Sequence, residues 1–466
     1  MSDSEVPITI LGAGLAGLTA AWYLAGLGHP VRVIEREDCA GGMAMTIKRG
    51  EYSFDLGPHR FYTQDQQVLN MVKGLLGEEL LIHERTSRVR LNGRFLDYPP
   101  NVANLVRCME PKTSLQCLLD YFSASWNGHG QHEEEIDFQS WVINRFGKHL
   151  YDIYFGPYTE KVWGISPKFL AAELARRRIT VPNLGDVLIR LMFSSYGDQS
   201  PYVTHFWYPK AGIGRIAERL VEEILDRNGE ILFGHKVEQI CLESEQVIGL
   251  EVNGGNGTNF IPCQWVLSTL PLPFLIESIN PSKTMLSEQV NNVTYRALIF
   301  VFLMINGDQI GKDHWLYFPQ QDYIFNRVSE PLTFSPTHAP KGKTSLCVEI
   351  TCKEEDELWV LPVEELYEQV IQDLTKARLI DPEQVEGLFN YRFPWGYPIY
   401  TVNYERYLNS LLAFVGEIDN LVTFGRQGAF DYSNMSESIA SGLRTAELIS
   451  KRIVEKEETY VTMDEE

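Results

Sequence analysis

The chain of 466 residues has no long apolar run. A membrane-spanning helix needs about 18 or more apolar residues in succession, and the longest apolar stretch here, residues 297–305, is much shorter. We interpret that stretch as a buried strand. The first residues, MSDSEVP, are acidic and lack the basic start and apolar segment of a secretory signal peptide. We therefore expect no membrane span, no signal peptide and, by default, a cytoplasmic location.

Positive charge and cysteine are also scarce. Lys and Arg number 41 against 62 Asp and Glu, which gives a net charge of −21. A nucleic-acid surface needs clustered Lys and Arg, so we expect no nucleic-acid partner, although anionic small ligands respond to the local field and stay possible. The seven cysteines are odd in number, without a CxxC pair or a histidine at ligand spacing. This pattern predicts reduced thiols and no metal site.

The most informative motif that is present lies in residues 8–35. An apolar β-branched run leads into Gly12-x-Gly14-x-x-Gly17, then an Ala- and Leu-rich segment and a second strand that ends near Glu35. Gly12 permits a tight turn, Gly14 allows a pyrophosphate to approach the backbone, and Gly17 allows the helix to pack on the strand. Glu35 follows Gly17 by 18 residues, close to the interval of a ribose-binding acid. The motif predicts dinucleotide binding; the alternative is a glycine turn in an ordinary βαβ unit.

A second pair of glycines, Gly41-Gly42, follows the acidic residue. It offers a further close backbone approach, where a long cofactor could continue past its pyrophosphate, and its alternative is a flexible turn. This arrangement resembles the FAD-binding amine-oxidase superfamily, and the resemblance implies FAD as the cofactor. Many members have an arginine after the paired glycines, whereas this chain has the uncharged Met43.

The chain alternates between segments of different character. Three of them have α/β character and predict an α/β fold class with a discontinuous, Rossmann-like FAD-binding domain, made of residues 1–75, 213–274 and 416–453. Residues 76–212 predict a mainly helical insertion domain. Residues 275–415 contain strand-like runs and predict an antiparallel-sheet substrate domain. The acidic tail, residues 454–466, is expected to fray.

Four further motifs extend the resemblance over both ends and the middle of the chain. Together with the first motif they are similar to the flavoproteins that include UDP-galactopyranose mutase and the protoporphyrinogen-oxidase-like oxidoreductases. The motifs are FDLGPHRFYT (54–63), FGPYTEKVWGISP (155–167), PWGYPIYTVNYERYLNSL (394–411) and NLVTFGRQGAFDYSNMSESI (420–439).

The resemblance implies a loop beside the flavin at Gly57, Pro58 and His59. An imidazole there could donate or accept a hydrogen bond near N5 and O4 of the flavin. The alternative for His59 is a turn residue that satisfies a backbone carbonyl. The mutases commonly have GPHIFHT, whereas this chain has GPHRFYT, with Tyr62 in place of the second histidine.

The fourth motif implies further cofactor contacts. By resemblance, Gly425 and Arg426 lie against the flavin, and Met435 and Ile439 open a helix whose positive end faces the flavin pyrimidine edge. Asn434, just before this helix, is a further cofactor-binding candidate. The mutases have an aspartate where this chain has Asn434. By resemblance, Val237 brackets the adenine; its alternative is a strand of an accessory sheet.

Five residues are the substrate-binding candidates by resemblance. Tyr158 and Trp163 match mutase positions that contact the uridine nucleotide, and helix packing is their alternative. Tyr397 and Tyr432 match tyrosines that reach a substrate phosphate. Arg327 matches a phosphate-binding arginine, and its alternative is a surface salt bridge.

These motifs favour an FAD-dependent oxidoreductase that binds its cofactor without a covalent bond and acts on a small molecule by hydride transfer to flavin N5. The catalytic candidates are His59, Arg327 and Tyr432. The alternative is a mutase-type isomerase of a sugar nucleotide, which uses reduced FAD without net oxidation; a flavin-binding protein without turnover is a third possibility. The mutases carry a second arginine in a segment like DNRYF, which is missing between residues 176 and 206. We expect Lys161 to be a solvated charge, and oligomeric state is left open.

Overall fold

The structure is a computed structural model, and it describes residues 6–91, 93–98, 110–127, 135–179, 205–255, 257–279 and 286–464. The strands are β1 (Ile8–Leu11), β2 (Val31–Ile34), β3 (Thr46–Arg49), β4 (Tyr52–Asp55), β5 (Leu80–Glu84), β6 (Ser87–Leu91), β7 (Arg94–Asp97), β8 (His205–Pro209), β9 (Glu230–Leu232), β10 (Lys236–Glu243), β11 (Gln246–Asn253), β12 (Thr258–Pro262), β13 (Val266–Ser268), β14 (Tyr295–Asn306), β15 (Trp315–Tyr317), β16 (Arg327–Ser329), β17 (Lys343–Cys352), β18 (Val385–Pro398) and β19 (Leu421–Thr423).

The helices of the described residues are α1 (Leu15–Gly26), α2 (Gln66–Leu76), α3 (Pro111–Asn127), α4 (Phe138–Phe146), α5 (Lys148–Leu150), α6 (Gly156–Trp163), α7 (Ala172–Arg178), α8 (Arg215–Asp226), α9 (Leu272–Ile279), α10 (Ser287–Asn292), α11 (Glu357–Val360), α12 (Val363–Lys376), α13 (Tyr404–Gly416), α14 (Gly425–Gly428) and α15 (Met435–Asp464). Single 3₁₀ turns occupy Gly42–Ala44, Gly77–Glu79, Pro167–Phe169, Pro331–Thr333 and Pro382–Gln384, and a π turn spans Tyr151–Phe155.

A five-stranded parallel sheet carries the first sequence motif. Its strand order is β19-β13-β1-β2-β9. The strands are short and apolar because both faces of the sheet are covered: one face packs with the helices α1, α8 and α15, and the other packs with the three-stranded antiparallel sheet β10-β11-β12. Its strands come from both ends and the middle of the chain, and an antiparallel sheet stands beside it. The predicted fold class, α/β with an additional antiparallel sheet, is confirmed.

The antiparallel sheet has seven strands in the order β18-β14-β17-β16-β15-β6-β7. Strand β14 contains the long apolar run and pairs with β17 and β18 along its length. Alternate side chains of β14 face opposite sides: Ile299 packs in one apolar cluster with residues of α12, and Phe300 packs in another with residues of β4. Because both faces are covered, the strand is apolar throughout, and its interpretation as a buried strand is correct.

The segment predicted to be mainly helical also contains four strands, β5 to β8. Strand β6 pairs in parallel with β15, so β6 and β7 lengthen the seven-stranded sheet. Charged and apolar residues alternate in β6, as at Arg88 and Val89, but burial does not follow this pattern strictly: Arg90 is buried, and Ile82 of β5 is exposed. Such short alternating runs carry little information beside the stronger helical periodicity of α3 and α4.

Helix α15 differs from the expectation for the tail. Its first half packs on α1, and a Cβ at Gly442 would lie 2.4 Å from the backbone oxygen of Ala16, so the two helices approach closely. We expected the chain to fray after Ile453, but the helix continues to Asp464. Glu and Lys are good helix formers, and an established helix propagates at little cost without further packing.

Two other findings concern the described residues as a whole. None of their helices is both long enough and apolar enough to cross a membrane. The six described cysteines are free thiols; Cys108 lies outside the described residues.

A cleft for a cofactor and a substrate

One cleft of about 860 Å³ runs between the parallel sheet and the antiparallel sheet. The glycine turn after β1 lines one part of it, and Arg426 of α14 lines another. The two segments are more than 400 residues apart in the sequence, yet they border one continuous groove. The first and fourth motifs therefore share a single site.

The glycine turn forms a cradle at the start of α1. Gly12 has a φ of +98°, and a Cβ there would lie 2.3 Å from the Thr269 hydroxyl oxygen. A Cβ at Gly17 would lie 2.1 Å from the Gly12 carbonyl oxygen. At Gly14, by contrast, a Cβ would meet no protein atom within 4 Å, and this residue lines the cleft. Open space beside Gly14 and the N-terminus of α1 fit a pyrophosphate.

Glu35 lies at the end of β2 beside this cradle and lines the cleft. Its Oε2 accepts a hydrogen bond of 2.7 Å from Ala13 N, and its Oε1 accepts one of 3.0 Å from Glu37 N. Burial raises the pKa of the Glu35 carboxyl, which these two N–H groups partly offset. Each oxygen keeps a lone pair that a ribose hydroxyl could use.

The second glycine pair stands against the first turn. Gly41 N donates to Ala13 O at 2.8 Å, and the φ of Gly41 is +115°. Gly41, Gly42 and Met43 all line the cleft. The pair therefore extends the backbone surface that begins at Gly14.

Asn434 caps the long helix α15. Its Oδ1 accepts from Glu437 N at 3.1 Å, and the Glu437 carboxylate accepts from Asn434 N at 2.6 Å. This reciprocal cap fixes the N-terminus of α15, and both Asn434 and Met435 line the cleft. An amide performs the capping as an aspartate does, without adding a negative charge to the cleft.

Val237 and Pro58 also line the cleft, whereas Gly17, Gly57 and Gly425 lie behind its surface. Gly57 has a φ of +91°, and a Cβ there would lie 3.1 Å from the Glu349 carboxylate. Gly425 has a φ of +74°, and a Cβ there would lie 2.8 Å from the Ala16 Cβ. These three glycines shape turns and permit close packing beside the cleft, and their contact with a cofactor stays a prediction.

His59 faces the cleft between positive and negative side chains. Burial is the main reason that its pKa falls to about 4, and the charge of Arg327 lowers it further. The buried Nδ1 has no hydrogen-bond partner among the described residues. A neutral imidazole at ordinary pH therefore presents one donor and one acceptor to a bound group.

Arg327 forms a buried ion pair that the sequence did not predict. Its Nε donates to the Glu349 carboxylate at 3.0 Å, and its Nη2 makes a second, shorter contact with the same oxygen. The Tyr397 hydroxyl donates to the other carboxylate oxygen at 3.0 Å. No described residue accepts a hydrogen bond from Arg327 Nη1, so one edge of the guanidinium can still bind a ligand oxygen. The surface salt bridge is excluded as a description of Arg327.

The cleft wall next to this pair is aromatic and cationic. The ring centres of Tyr397 and Tyr432 are 5.5 Å apart, and the Trp163 ring packs against them in a tilted arrangement at 6.0 and 5.5 Å. The guanidinium of Arg178 lies 4.2 Å from the Tyr432 ring centre, and that of Arg426 lies 4.8 Å from it. Two arginines therefore flank one tyrosine.

A row of tyrosine rings continues along the cleft from Tyr158. Tyr154 stacks on Tyr158 at 5.9 Å with an angle of 4° between the planes, and Tyr317 meets Tyr158 edge-on at 5.8 Å. All three line the cleft, and Tyr98 extends the row at 5.1 Å from Tyr317. Planar faces of this kind bind planar ligand rings.

Lys161 is not the solvated charge that we expected. Its Nζ donates to Phe318 O at 2.9 Å and to Gln320 O at 2.6 Å, and burial lowers its pKa to about 7. The side chain therefore ties α6, which carries Tyr158 and Trp163, to the chain after β15.

Several cleft residues were missed by the sequence analysis: Arg60, Arg85, Tyr154, Arg178, Tyr317 and Glu349. Glu349 had a recognisable pattern, because it is the one acidic residue of β17 and is flanked by the apolar Val348 and Ile350. The others lie in unremarkable charged or aromatic sequence, and only the tertiary fold brings them together.

The family of the chain follows from comparison with known proteins. Residues 15–450 match the family model described as "Flavin containing amine oxidoreductase". The chain belongs to this family, and the predicted cofactor, FAD, is confirmed.

Individual relatives span different parts of the chain. A Klebsiella pneumoniae protein described as "Probable UDP-galactopyranose mutase" is 24% identical over 97% of both chains. A reduced UDP-galactopyranose mutase structure has a TM-score of 0.84 at 21% identity, with 96% of this chain and 94% of that chain covered. The flavin-dependent L-tryptophan oxidase RebO of Lentzea aerocolonigenes is 27% identical over 59% of this chain and 60% of its own. The resemblance to mutases and flavin oxidases is confirmed.

The described part of the chain contains no group of three or more His, Cys, Asp or Glu side chains that could hold a metal ion. The cradle at Gly14, the acid at Glu35 and the helix N-terminus at Asn434 fit FAD without a metal.

Proposed function

We propose that this protein is a flavin enzyme that rearranges the sugar of a nucleoside diphosphate sugar without net oxidation. The observation that carries the proposal is a continuous path of side chains, Arg178–Tyr432–Tyr397–Arg327, in the same cleft as the cofactor cradle. Two guanidinium groups with phenol rings between them match a diphosphate.

Arg178 replaces the second arginine that the DNRYF segment would supply. It lies at the C-terminal end of α7, and no described carboxylate pairs with it. Arg327 faces it from β16 with Nη1 still free of described partners. Since Glu349 neutralises much of the Arg327 charge, Arg178 carries more of the electrostatic attraction for a phosphate.

The tyrosine row accounts for the nucleotide base. Tyr158 lines the cleft with Tyr154 stacked on it and Tyr317 edge-on to it, and Lys161 anchors the helix that holds it. Offset stacking of a planar base on such rings contributes roughly 1–3 kcal/mol per base. A uracil ring is therefore assigned to the tyrosine row and the diphosphate to the arginine path.

His59 has a different task at the cofactor end. Because its pKa is about 4, it remains neutral and donates or accepts one hydrogen bond at a bound ring without adding charge. Gly12, Gly14, Glu35, Arg426 and Met435 would hold FAD without a covalent bond, and reduced FAD would supply the bond-making chemistry at the sugar carbon. The protein binds the diphosphate, orients the sugar and limits water in the cleft.

The second candidate is an FAD-dependent oxidoreductase that removes hydride from a small molecule. Its support is the presence of Tyr62 and Asn434 where the mutases have histidine and aspartate. The full-length similarity to the mutase, compared with 59% coverage for the oxidase, favours the isomerase.

Binding and turnover separate the candidates. In the FAD-loaded protein UDP should bind, and Arg178→Gln should weaken UDP binding by about tenfold, as loss of a charged hydrogen bond does. Arg176→Gln is the control, because Arg176 is exposed, outside the cleft and only two residues away. Turnover of a UDP-hexose that requires dithionite and gives a product of equal mass supports the isomerase. Anaerobic flavin bleaching by the substrate supports the oxidoreductase, and failure of UDP to bind contradicts the proposal.

A further inference from the structure

Arg60 is a partly buried cation in the cleft without a described hydrogen-bond or ion-pair partner. Its guanidinium carbon lies 5.6 Å from the Trp315 ring centre. None of its N–H groups donates a hydrogen bond within the described parts of the chain, and Nη1 is buried. Arg60 directly follows His59, and both residues line the cleft.

The groups around Arg60 add positive charge. Arg85 donates from Nη2 to Tyr98 O at 2.9 Å and lies 5.7 Å from the Tyr98 ring centre. Burial, together with the charges of Arg85 and Arg178, lowers the pKa of Arg60, while Tyr317 and Tyr98 act in the opposite direction. No described carboxylate forms an ion pair with Arg60, Arg85 or Arg178. A bound anion would relieve both the repulsion and the unsatisfied donors.

Two other cleft arginines already have partners. Arg327 is paired with Glu349, and Arg426 donates to Ser433 O at 2.6 Å and to Gly396 O at 3.1 Å. Arg60 therefore differs from Arg327 and Arg426, because no described residue accepts a hydrogen bond from its guanidinium. The motif GPHIFHT has an apolar isoleucine at this position, so Arg60 is also where the present chain departs from that motif.

We propose that Arg60, supported by Arg85, is a specificity-determining residue that binds a carboxylate on the sugar of the substrate. The preferred class is then a nucleoside diphosphate uronic acid. A carboxylate has two oxygens in a plane and one negative charge, which match one planar guanidinium fork. Arg85 donates one hydrogen bond to Tyr98 O and attracts the same carboxylate as a second positive charge at longer range. This inference rests on the proposed function for the nucleotide end of the substrate.

The test is calorimetric titration of the FAD-loaded protein with UDP, UDP-glucose and UDP-glucuronate. We expect UDP-glucuronate to bind about tenfold or more tightly than UDP-glucose, since a partly buried charge pair is worth that much. Arg60→Gln should abolish this preference and change the affinity for UDP by less than about twofold. Arg60→Lys should keep part of the preference, because the charge remains while the fork is lost.

Arg406→Gln is the matched control. Arg406 also lies over an aromatic ring, at 5.9 Å from the Tyr407 ring centre, but it is exposed on α13 and outside the cleft. It should leave all three affinities unchanged. FAD content and the melting temperature of each variant establish that it is folded.

Other outcomes overturn the inference. Equal binding of UDP-glucose and UDP-glucuronate by the unaltered protein contradicts a carboxylate subsite. Equal weakening of UDP and UDP-glucuronate by Arg60→Gln assigns Arg60 to the diphosphate instead. If UDP does not bind, the proposed function fails, and glucuronate 1-phosphate and glucose 1-phosphate become the probes. A preference for glucuronate 1-phosphate that Arg60→Gln removes supports the subsite, and its absence overturns it.

Discussion

Arg327 and Glu349 stand directly opposite each other on the neighbouring strands β16 and β17 and form a buried ion pair at the cleft wall. The Glu349 side chain is only 3% exposed and also accepts hydrogen bonds from Asn326 Nδ2 and the Tyr397 hydroxyl. One carboxylate thus organises three donors, two from the start of β16 and one from β18. The strand register places Arg327, which the sequence predicted to bind substrate, opposite Glu349. The sequence did not predict Glu349, which holds Arg327 in position.

Removal of Glu349 should destabilise the fold strongly. In Glu349→Ala the Arg327 guanidinium loses its counter-charge in a buried place, which costs roughly 3–5 kcal/mol. Urea unfolding of the FAD-loaded protein measures this change. Glu386→Ala is the control, because Glu386 pairs with Lys343 at the exposed edge of the same sheet and should cost less than about 1 kcal/mol. Similar losses in the two variants would contradict a structural role for the buried pair.

A methyl group at Gly14 should exclude FAD without unfolding the protein. Its φ of −73° suits alanine, and the added Cβ meets no protein atom. Gly14→Ala should therefore keep its far-ultraviolet circular dichroism and lose flavin absorbance relative to protein absorbance. Gly17→Ala should fold poorly, because its Cβ would meet the Gly12 carbonyl.

Gly74→Ala is the control for these glycine variants. Gly74 lies in α2, where an added Cβ also meets no atom, and it is outside the cleft. It should retain FAD and become slightly more stable, since alanine favours a helix by about 1 kcal/mol over glycine. Full flavin content in Gly14→Ala would show that the cofactor does not approach this turn.

Stability should fall in acid because buried histidines are held neutral. Burial lowers the pKa of His338 to about 4, so between about pH 6.5 and 4 the unfolded chain takes up a proton that the folded chain does not. His338→Met should reduce the loss of unfolding free energy from pH 8 to pH 5 by about 2 kcal/mol. Urea titrations at the two pH values measure this difference, and an unchanged loss would contradict it.

Asp55 acts in the opposite sense and serves as a comparison. Burial raises its pKa to about 6, so between about pH 4 and 6 the folded chain binds the proton more strongly than the unfolded chain. Its contribution to stability is lost as the pH rises through 6. Asp55→Asn should therefore steepen the loss of stability in acid, while His338→Met makes it shallower. Shifts in the same direction would exclude these assignments.

Lys161 should affect ligand binding through the helix that it anchors. Lys161→Met keeps the apolar stem but removes both hydrogen bonds to the Phe318 and Gln320 carbonyls, which frees α6 and its Tyr158. We expect UDP affinity to fall by roughly fivefold, the cost of about 1 kcal/mol in positioning, with FAD content unchanged. Lys168→Met, at an exposed site over the Phe169 ring, should leave UDP affinity as it was. Equal UDP affinities in Lys161→Met and Lys168→Met would contradict a role of the Lys161 hydrogen bonds in positioning α6.

The parts of the fold that depend on local sequence were predictable. The strand, glycine turn, helix and acid of residues 8–35 are contiguous, so their spacing alone indicated the cradle at Gly14. The pairing of Arg327 with Glu349 depends on the register of two strands, which no local pattern contains. Likewise, three arginines in succession end α7, and the sequence does not indicate that Arg178 is the one that faces Tyr432.

Side chains whose environment is formed by distant segments were also misjudged. Lys161 has ordinary helical neighbours in sequence, but the carbonyls that accept its hydrogen bonds belong to Phe318 and Gln320. The tail after Ile453 was expected to fray because it has few apolar residues. Its helix depends only on local helix propensity, which Glu and Lys supply.

The central claim is that one cleft holds FAD against the glycine turns and a nucleoside diphosphate sugar against the arginine path. A crystal structure of the FAD-loaded protein with bound UDP tests it most directly. We predict that FAD extends from Gly14 to Arg426 and that the UDP phosphates contact Arg178 and Arg327, with uracil on Tyr158. UDP bound outside this cleft, or a flavin ring remote from His59 and Arg426, would contradict the account.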